Sequence, residues 1–136
     1  MSLIAGSDSY ISLHRSEGFG LGMVETMAYG KPVIGTDFSG STDFLSERTG
    51  YPVPCEIRPV RRGEYVYFDG QVWAEPDVDA AAAAMREVFS GTQQTHIRAA
   101  AGQAFVRERY GREGVARKVA ERIGEIMSQS DVVADA

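Results

Sequence analysis

From Glu17 to Glu25 the chain reads Glu-Gly-Phe-Gly-Leu-Gly-Met-Val-Glu, which sets two carboxylates eight positions apart across three glycines. An apolar segment at residues 10–14 precedes this run, and the pattern over residues 21–29 predicts a helix. Glycine carries no Cβ, so the backbone N–H groups of such a loop can come close to phosphate oxygens. The following helix points the positive end of its dipole at the same place. Carboxylates repel phosphate, so Glu17 and Glu25 suit what lies on either side of it. An ionised carboxylate only accepts hydrogen bonds and can take two neighbouring hydroxyls at once, which fits sugars. The loop therefore suits a sugar, a diphosphate and a ribose in a row.

Spacing agrees with that arrangement. Eight residues of unbroken helix would turn the second glutamate by about 80° from the first, so the two would not share a face. With Glu17 in the loop and Glu25 one turn inside the helix, both border the helix N-terminus, one on each side of an anion. The plain alternative is a loop glutamate and a solvated helix glutamate, since clustered acids are often structural. The intervening glycines favour the ligand.

The run Ser16-Glu-Gly-Phe-Gly-Leu-Gly-Met-Val-Glu25, continued by Thr26-Met-Ala-Tyr-Gly-Lys-Pro-Val-Ile-Gly-Thr36, closely resembles the E-x7-E segment of retaining glycosyltransferases of the family 4, or group 1, type. The likeness continues through Asp37-Phe-Ser-Gly-Ser-Thr-Asp-Phe-Leu45, Thr49-Gly-Tyr-Pro-Val53 and Trp73-Ala-Glu-Pro-Asp77, covering most of the chain. It implies part of the C-terminal, nucleotide-sugar-binding domain of a two-domain GT-B fold. By that resemblance Glu17 is the catalytic-site residue that contacts hydroxyls of the transferred sugar. Gly18, Phe19, Gly20 and Leu21 offer backbone N–H groups to the donor, and Glu25 holds the ribose. Gly22 departs from the pattern, because many relatives carry proline near the first helical position. The resemblance also implies metal-independent chemistry without a cofactor, the donor being a nucleoside diphosphate sugar.

Family members are usually much longer than these 136 residues, which make one domain of ordinary size. Residues 1–3 read like an added leader, residues 4–128 as a fragment of the donor-binding domain, and residues 129–136 as a mobile tail. On this reading the acceptor, a glycan or glycoconjugate, is held by a missing N-terminal domain, and the fragment alone is inactive. The net charge of −5 argues against a nucleic-acid partner. Cys55 stands alone, so no internal disulfide can form, and a cytoplasmic setting is expected, with peripheral work at a membrane left open. No apolar run approaches the roughly 20 residues that a membrane span requires.

Strand and helix alternate with short connections, which predicts an α/β fold: a Rossmann-like parallel sheet flanked by helices, ending in a helical C-terminus. Gly30 caps the first helix, and residues 32–36 form a short buried strand. The small-residue turn at 39–42 leads to a short helix at 43–47, and a strand follows from Tyr51. Residues 55–73 read as a hairpin excursion turning at Arg62-Gly63, its arginines either solvated or reaching a phosphate. Asp77 caps a helix through Phe89 with Val78, Ala82, Met85 and Phe89 inward. A second helix turns Ile97, Ala101, Ala104 and Phe105 inward. A third, over residues 112–127, buries Val115, Val119, Ile123 and Ile126 or, without a partner domain, exposes them for dimerisation.

His14 is either a packed, hydrogen-bonded histidine or a donor contact, and Asp43, like Asp37, either caps a turn or binds a donor hydroxyl. No cluster has metal-ligand spacing. Two further functions fit less well. In an NAD(P)-type dinucleotide-binding module, Asp37 would meet the ribose, but Met23 occupies the third fingerprint glycine. A glycosidase pair of glutamates would leave the glycine loop unexplained.

Overall fold

Every residue of strand β2 (Val33–Thr36) is buried, and the rest of the chain is arranged around it. The computed structural model describes residues 3–134. A short helix, α1 (Leu3–Gly6), leads to β1 (Tyr10–Ser12). Helix α2 (Leu21–Ala28), β2, a 3-10 turn (Ser39–Asp43) and β3 (Tyr51–Val53) follow. The strands form a parallel sheet in the order β1-β2-β3, with Tyr10 opposite Val33 and Thr36 opposite Val53. Then come an antiparallel pair, β4 (Cys55–Pro59) with β5 (Val72–Pro76), and three helices: α3 (Val78–Phe89), α4 (Gln93–Tyr110) and α5 (Arg112–Ala134).

Side chains alternate across a strand, so neighbours on β2 feed different cores. Val33 packs with Met23, Val24 and Met27 of α2, with Phe44 and Leu45, and with Val106 of α4. Ile34 packs on the other face with Tyr51, Val53 and Ala81 of α3. The expected α/β architecture, a parallel sheet covered by helices, is thus present.

The helices are phased differently from the sequence expectation. On α3 the sheet-facing residues are Ala81, Ala84 and Val88, whereas Val78 and Phe89 are 65% and 93% exposed. On α4, which packs on α2, the buried residues are Thr95, Ala99, Gly102 and Val106. Ile97 is exposed, and of the expected set only Phe105 packs against the core. Close approach explains both shifts: small side chains let a helix settle on its neighbours, and bulkier ones on the next stripe turn outward. A Cβ at Gly102 would lie 2.5 Å from the Thr49 carbonyl oxygen and 2.9 Å from Met27 Cε. On α5, Val115, Val119, Ile123 and Ile126 are 46–52% exposed, so the branch of the expectation that buries them fails.

Helix α5 extends to Ala134, so most of the expected tail is helical, while residues 1–2 and 135–136 lie outside the described residues. No helix forms at 43–47; the helical turn lies just before it, at Ser39–Asp43, stabilised where Ser41 Oγ donates to the carbonyls of Thr36 at 2.7 Å and Phe38 at 3.0 Å. The hairpin arms lie farther apart in sequence than expected, and residues 60–71 join them. There the Glu64 carboxylate folds the chain back, accepting from the backbone N–H of Arg61 at 2.7 Å and from the Arg58 guanidinium at 3.0 and 3.1 Å. Arg58, then Arg61, lowers the Glu64 pKa to about 2 from its ordinary 4.5.

Alanine substitution separates packing from propensity. Gly102→Ala should destabilise the fold by about 1–3 kcal/mol in denaturant unfolding, through overpacking against Thr49 and Met27. Gly124→Ala, where a Cβ meets nothing within 4 Å, should instead stabilise α5 by up to about 1 kcal/mol. Because the Glu64 pKa is lowered on folding, its contribution is present above pH 4.5 and lost as pH falls through about 2. A carboxyl-carbon NMR titration should find that low midpoint, and Arg58→Ala should move it back toward 4.5.

Candidate functional site

The carboxyl ends of parallel strands are where open α/β sheets take their ligands. At that edge β1 stops at Ser12 and α2 begins at Leu21, so residues 13–20 form the connecting loop. The turn after β2 lies directly against it. Ser39 Oγ donates to the Glu17 carbonyl at 2.7 Å, and the Gly40 N–H approaches the same oxygen at 3.5 Å. A Cβ on Gly40 would stand 2.3 Å from the Gly18 carbonyl oxygen, so this contact between two backbones admits only glycine. The two glycine-bearing turns therefore line one edge, as their placement after consecutive strands implies.

Within the loop, side chain and backbone point to different tasks. The Phe19 ring packs edge-on against Phe44 and Tyr110, with centroids 5.8 and 5.3 Å away. Gly20 opens α2 at φ +91°, a left-handed conformation, and a Cβ there would also strike Met23 Cε at 2.6 Å. No side chain caps the helix at Gly20. Helices usually satisfy their first N–H groups with a capping side chain, so an uncapped start at this edge leaves donors that could meet an anion.

Glu17 is half-buried, and its Oε1 accepts a long bond of 3.4 Å from the Phe19 N–H. Glu25 lies on the exposed side of α2, one turn in. The structure thus brings Glu17, Gly18, Phe19, Gly20 and Leu21 together at the α2 N-terminus, with Glu25 on that helix. His14 is packed and hydrogen-bonded. Its Nε2 lies 3.2 Å from the Phe38 carbonyl and must carry the proton there, since a carbonyl only accepts; Nδ1 lies 3.3 Å from Ser12 Oγ. Asp43 is exposed and closes the 3-10 turn.

Sequence reasoning passed over two groups here. Ser39 and Gly40 brace the loop, and their only signal was a cluster of small turn residues. Arg15 carries no local signal, because its partner, Glu75, is sixty residues away. No group of three or more His, Cys, Asp or Glu among the described residues could hold a metal ion. A cavity of about 680 Å³, lined in part by Ser9, Pro32, Val88 and His96, lies by the segments preceding β1 and β2, at the opposite end of the sheet from this edge.

The family model of the group 1 glycosyl transferases matches residues 1–104. The chain belongs to that family of glycosyltransferases. A search of curated protein sequences found no significant match. Among solved structures, HepE of Anabaena in complex with UDP and glucose is similar, at a TM-score of 0.67 and 22% identity over 90% of this chain and 29% of that one. The same enzyme in complex with UDP-glucose gives 0.65 and 20% over the same shares. Sucrose-phosphate synthase of Thermosynechococcus elongatus gives 0.67 and 20% over 93% of this chain and 27% of that one. The chain thus has the fold of part of the GT-B enzymes and spans less than a third of these structures' length.

Anchoring of the loop through Phe19 can be tested apart from any ligand. Phe19→Ala removes two edge-to-face contacts and part of the ring's burial, and should cost about 1–2 kcal/mol in thermal unfolding. A loss near zero would show that the loop is held by its backbone contacts alone.

Proposed function

We propose that this chain is the donor-binding part of a retaining glycosyltransferase that takes its sugar from a nucleoside diphosphate sugar. The observation that carries the reading is the uncapped N-terminus of α2 at the carboxyl edge of the sheet, opened by left-handed Gly20 and flanked by Glu17 and Glu25. In this proposal the diphosphate lies against the backbone N–H groups of Gly18, Phe19, Gly20 and Leu21 and the positive end of the α2 dipole. Charge develops on the leaving nucleoside diphosphate, and donors already aimed at it stabilise that charge without reorganising. Glu25 accepts from the ribose hydroxyls, while Glu17 accepts from the transferred sugar and orients it for attack on the face that retains configuration. His14 braces the Phe38 turn, and Asp43 is left as a donor-hydroxyl contact of lesser weight.

HepE, solved with UDP-glucose, supports a nucleotide sugar as the ligand class. The acceptor, a glycan or glycoconjugate of polysaccharide-type synthesis, is assigned to a further domain, and the chain alone binds donor without turning it over. No metal takes part in this scheme. No helix of the described residues is long and apolar enough to cross a membrane, and a cytoplasmic or membrane-peripheral parent is proposed. A dinucleotide module is disfavoured by the long loop over residues 13–20, where that fingerprint needs a tight turn directly after the strand.

Ligand-detected NMR with UDP, GDP, ADP and NAD in parallel tests this reading. One nucleoside diphosphate should bind, and Glu25→Ala should weaken it about tenfold or more, the worth of hydrogen bonds to a charged acceptor. Glu17→Ala should leave that affinity unchanged and remove only the gain from an attached sugar. Preferential binding of NAD, or equal losses in the two variants, would overturn the assignment.

A further inference from the structure

The chain has one tryptophan, Trp73, and two arginines from separate segments stack on it. The Arg15 guanidinium lies 4.7 Å from its ring centroid and that of Arg58 lies 5.0 Å away. Glu75, two residues along β5 and so on the same face of the strand, bonds both. It accepts from Arg15 Nε at 3.0 Å and Nη2 at 2.7 Å, and from Arg58 Nε at 2.9 Å. Glu64 holds Arg58 at its other nitrogens. The backbone joins in, since the Ala74 N–H donates to the Arg15 carbonyl at 3.0 Å.

Charge balance decides what this cluster can do. Two guanidiniums face two carboxylates, and Arg58 spends its donors on Glu75, Glu64 and the Pro59 carbonyl. A cluster neutralised in this way has little to offer a phosphate, so the phosphate-reaching role weighed for Arg58 falls. It can, however, hold a segment in place. Arg15 stands two residues before Glu17, in a loop without regular structure. On its far side the same loop is held by Ser39 and Gly40 at the Glu17 carbonyl. A single exposed ion pair holds little. A stacked and bidentate network is different, and lysine cannot reproduce its geometry.

We propose that the Arg15–Glu75–Arg58 ladder across Trp73 positions Glu17, and through it governs recognition of the donor's sugar but not of its nucleoside diphosphate. The inference rests on the donor-site reading above. Arg15, Arg58 and Glu75 are positioning residues in it, since they act through Glu17, whereas the diphosphate lies against the amides of residues 18–21, where Gly40 packs on the Gly18–Phe19 backbone and Phe44 and Tyr110 hold the Phe19 ring. As the only tryptophan, Trp73 reports on the ladder by its fluorescence.

The test compares this chain with its Glu75→Gln and Arg15→Lys variants, and with Arg122→Ala, which breaks a similar exposed pair on α5. Three quantities are read: affinity for the nucleoside diphosphate with and without its sugar, Trp73 emission during each titration, and backbone amide exchange. In Glu75→Gln and Arg15→Lys the affinity gain from the sugar should fall about threefold or more, while nucleoside diphosphate affinity stays within about twofold. The Ala74 amide, which donates to the Arg15 carbonyl, should exchange about tenfold faster while those of residues 23–28 do not change. Trp73 emission should respond to the sugar-bearing ligand in the parent chain and not in Glu75→Gln, and Arg122→Ala should match the parent throughout. Equal losses for both ligands, or unchanged exchange at Ala74, would overturn the positioning role alone. Absence of nucleotide binding to the unsubstituted chain would overturn the donor-site reading and this inference with it.

Discussion

Burial of β2 on both faces is the constraint from which the rest of the structure follows. A strand with Val33 directed into one core and Ile34 into another needs a layer on each side, and α2 with α4 on one face and α3 on the other supply them. Its neighbours β1 and β3 run parallel to it, and parallel strands cannot be joined by tight hairpins. After each strand the chain must return across a face before pairing again. Helix α2 therefore starts where β1 ends, and its N-terminus falls at the same edge as the turn that follows β2. The anion-directed end of a helix and two flexible glycine turns meet there as a result of strand direction.

Flexibility at that edge has to be restrained, because a glycine-rich loop loses much conformational freedom on ordering, about 1–2 kcal/mol for each backbone residue. Contacts of three kinds oppose that loss. Gly40 lies against the backbone of Gly18 and Phe19 at a distance no side chain would allow. The Phe19 ring is held by Phe44 and Tyr110. Arg15 is stacked on Trp73 and paired with Glu75. An exposed ion pair alone contributes only about 0.2–1 kcal/mol, so the restraint comes from the combination. The β4–β5 hairpin is consequently part of the architecture of the edge, although it lies outside the parallel sheet.

Legibility in the sequence followed the range of each interaction. The glycine loop, the helix from Leu21, the cap at Asp77 and the strand after Pro32 are set by neighbours a few residues apart, and each was readable. Asp77, for instance, accepts from the Ala80 N–H at 3.0 Å as a capping residue should. Helix phase was not readable on α3 and α4. Neighbouring stripes compete on both, and the choice between them depends on how closely a neighbour can approach. The alanines and Gly102 won over Met85, Phe89 and Ile97 because contact distance, not hydrophobicity, selected the face.

By itself the sequence determined the chemistry on offer at the carboxyl edge of the sheet: a glycine-rich loop, a helix dipole behind it and a carboxylate on either side. Those properties are carried by consecutive residues and survive any arrangement of the rest. Tertiary structure alone decided how that loop is held. Ser39 and Gly40 reach Glu17 from another strand's turn, and Glu75 reaches Arg15 across sixty residues. Pairs so distant leave no periodic or local trace, because what joins them is the folding of the sheet that brings their segments to one edge.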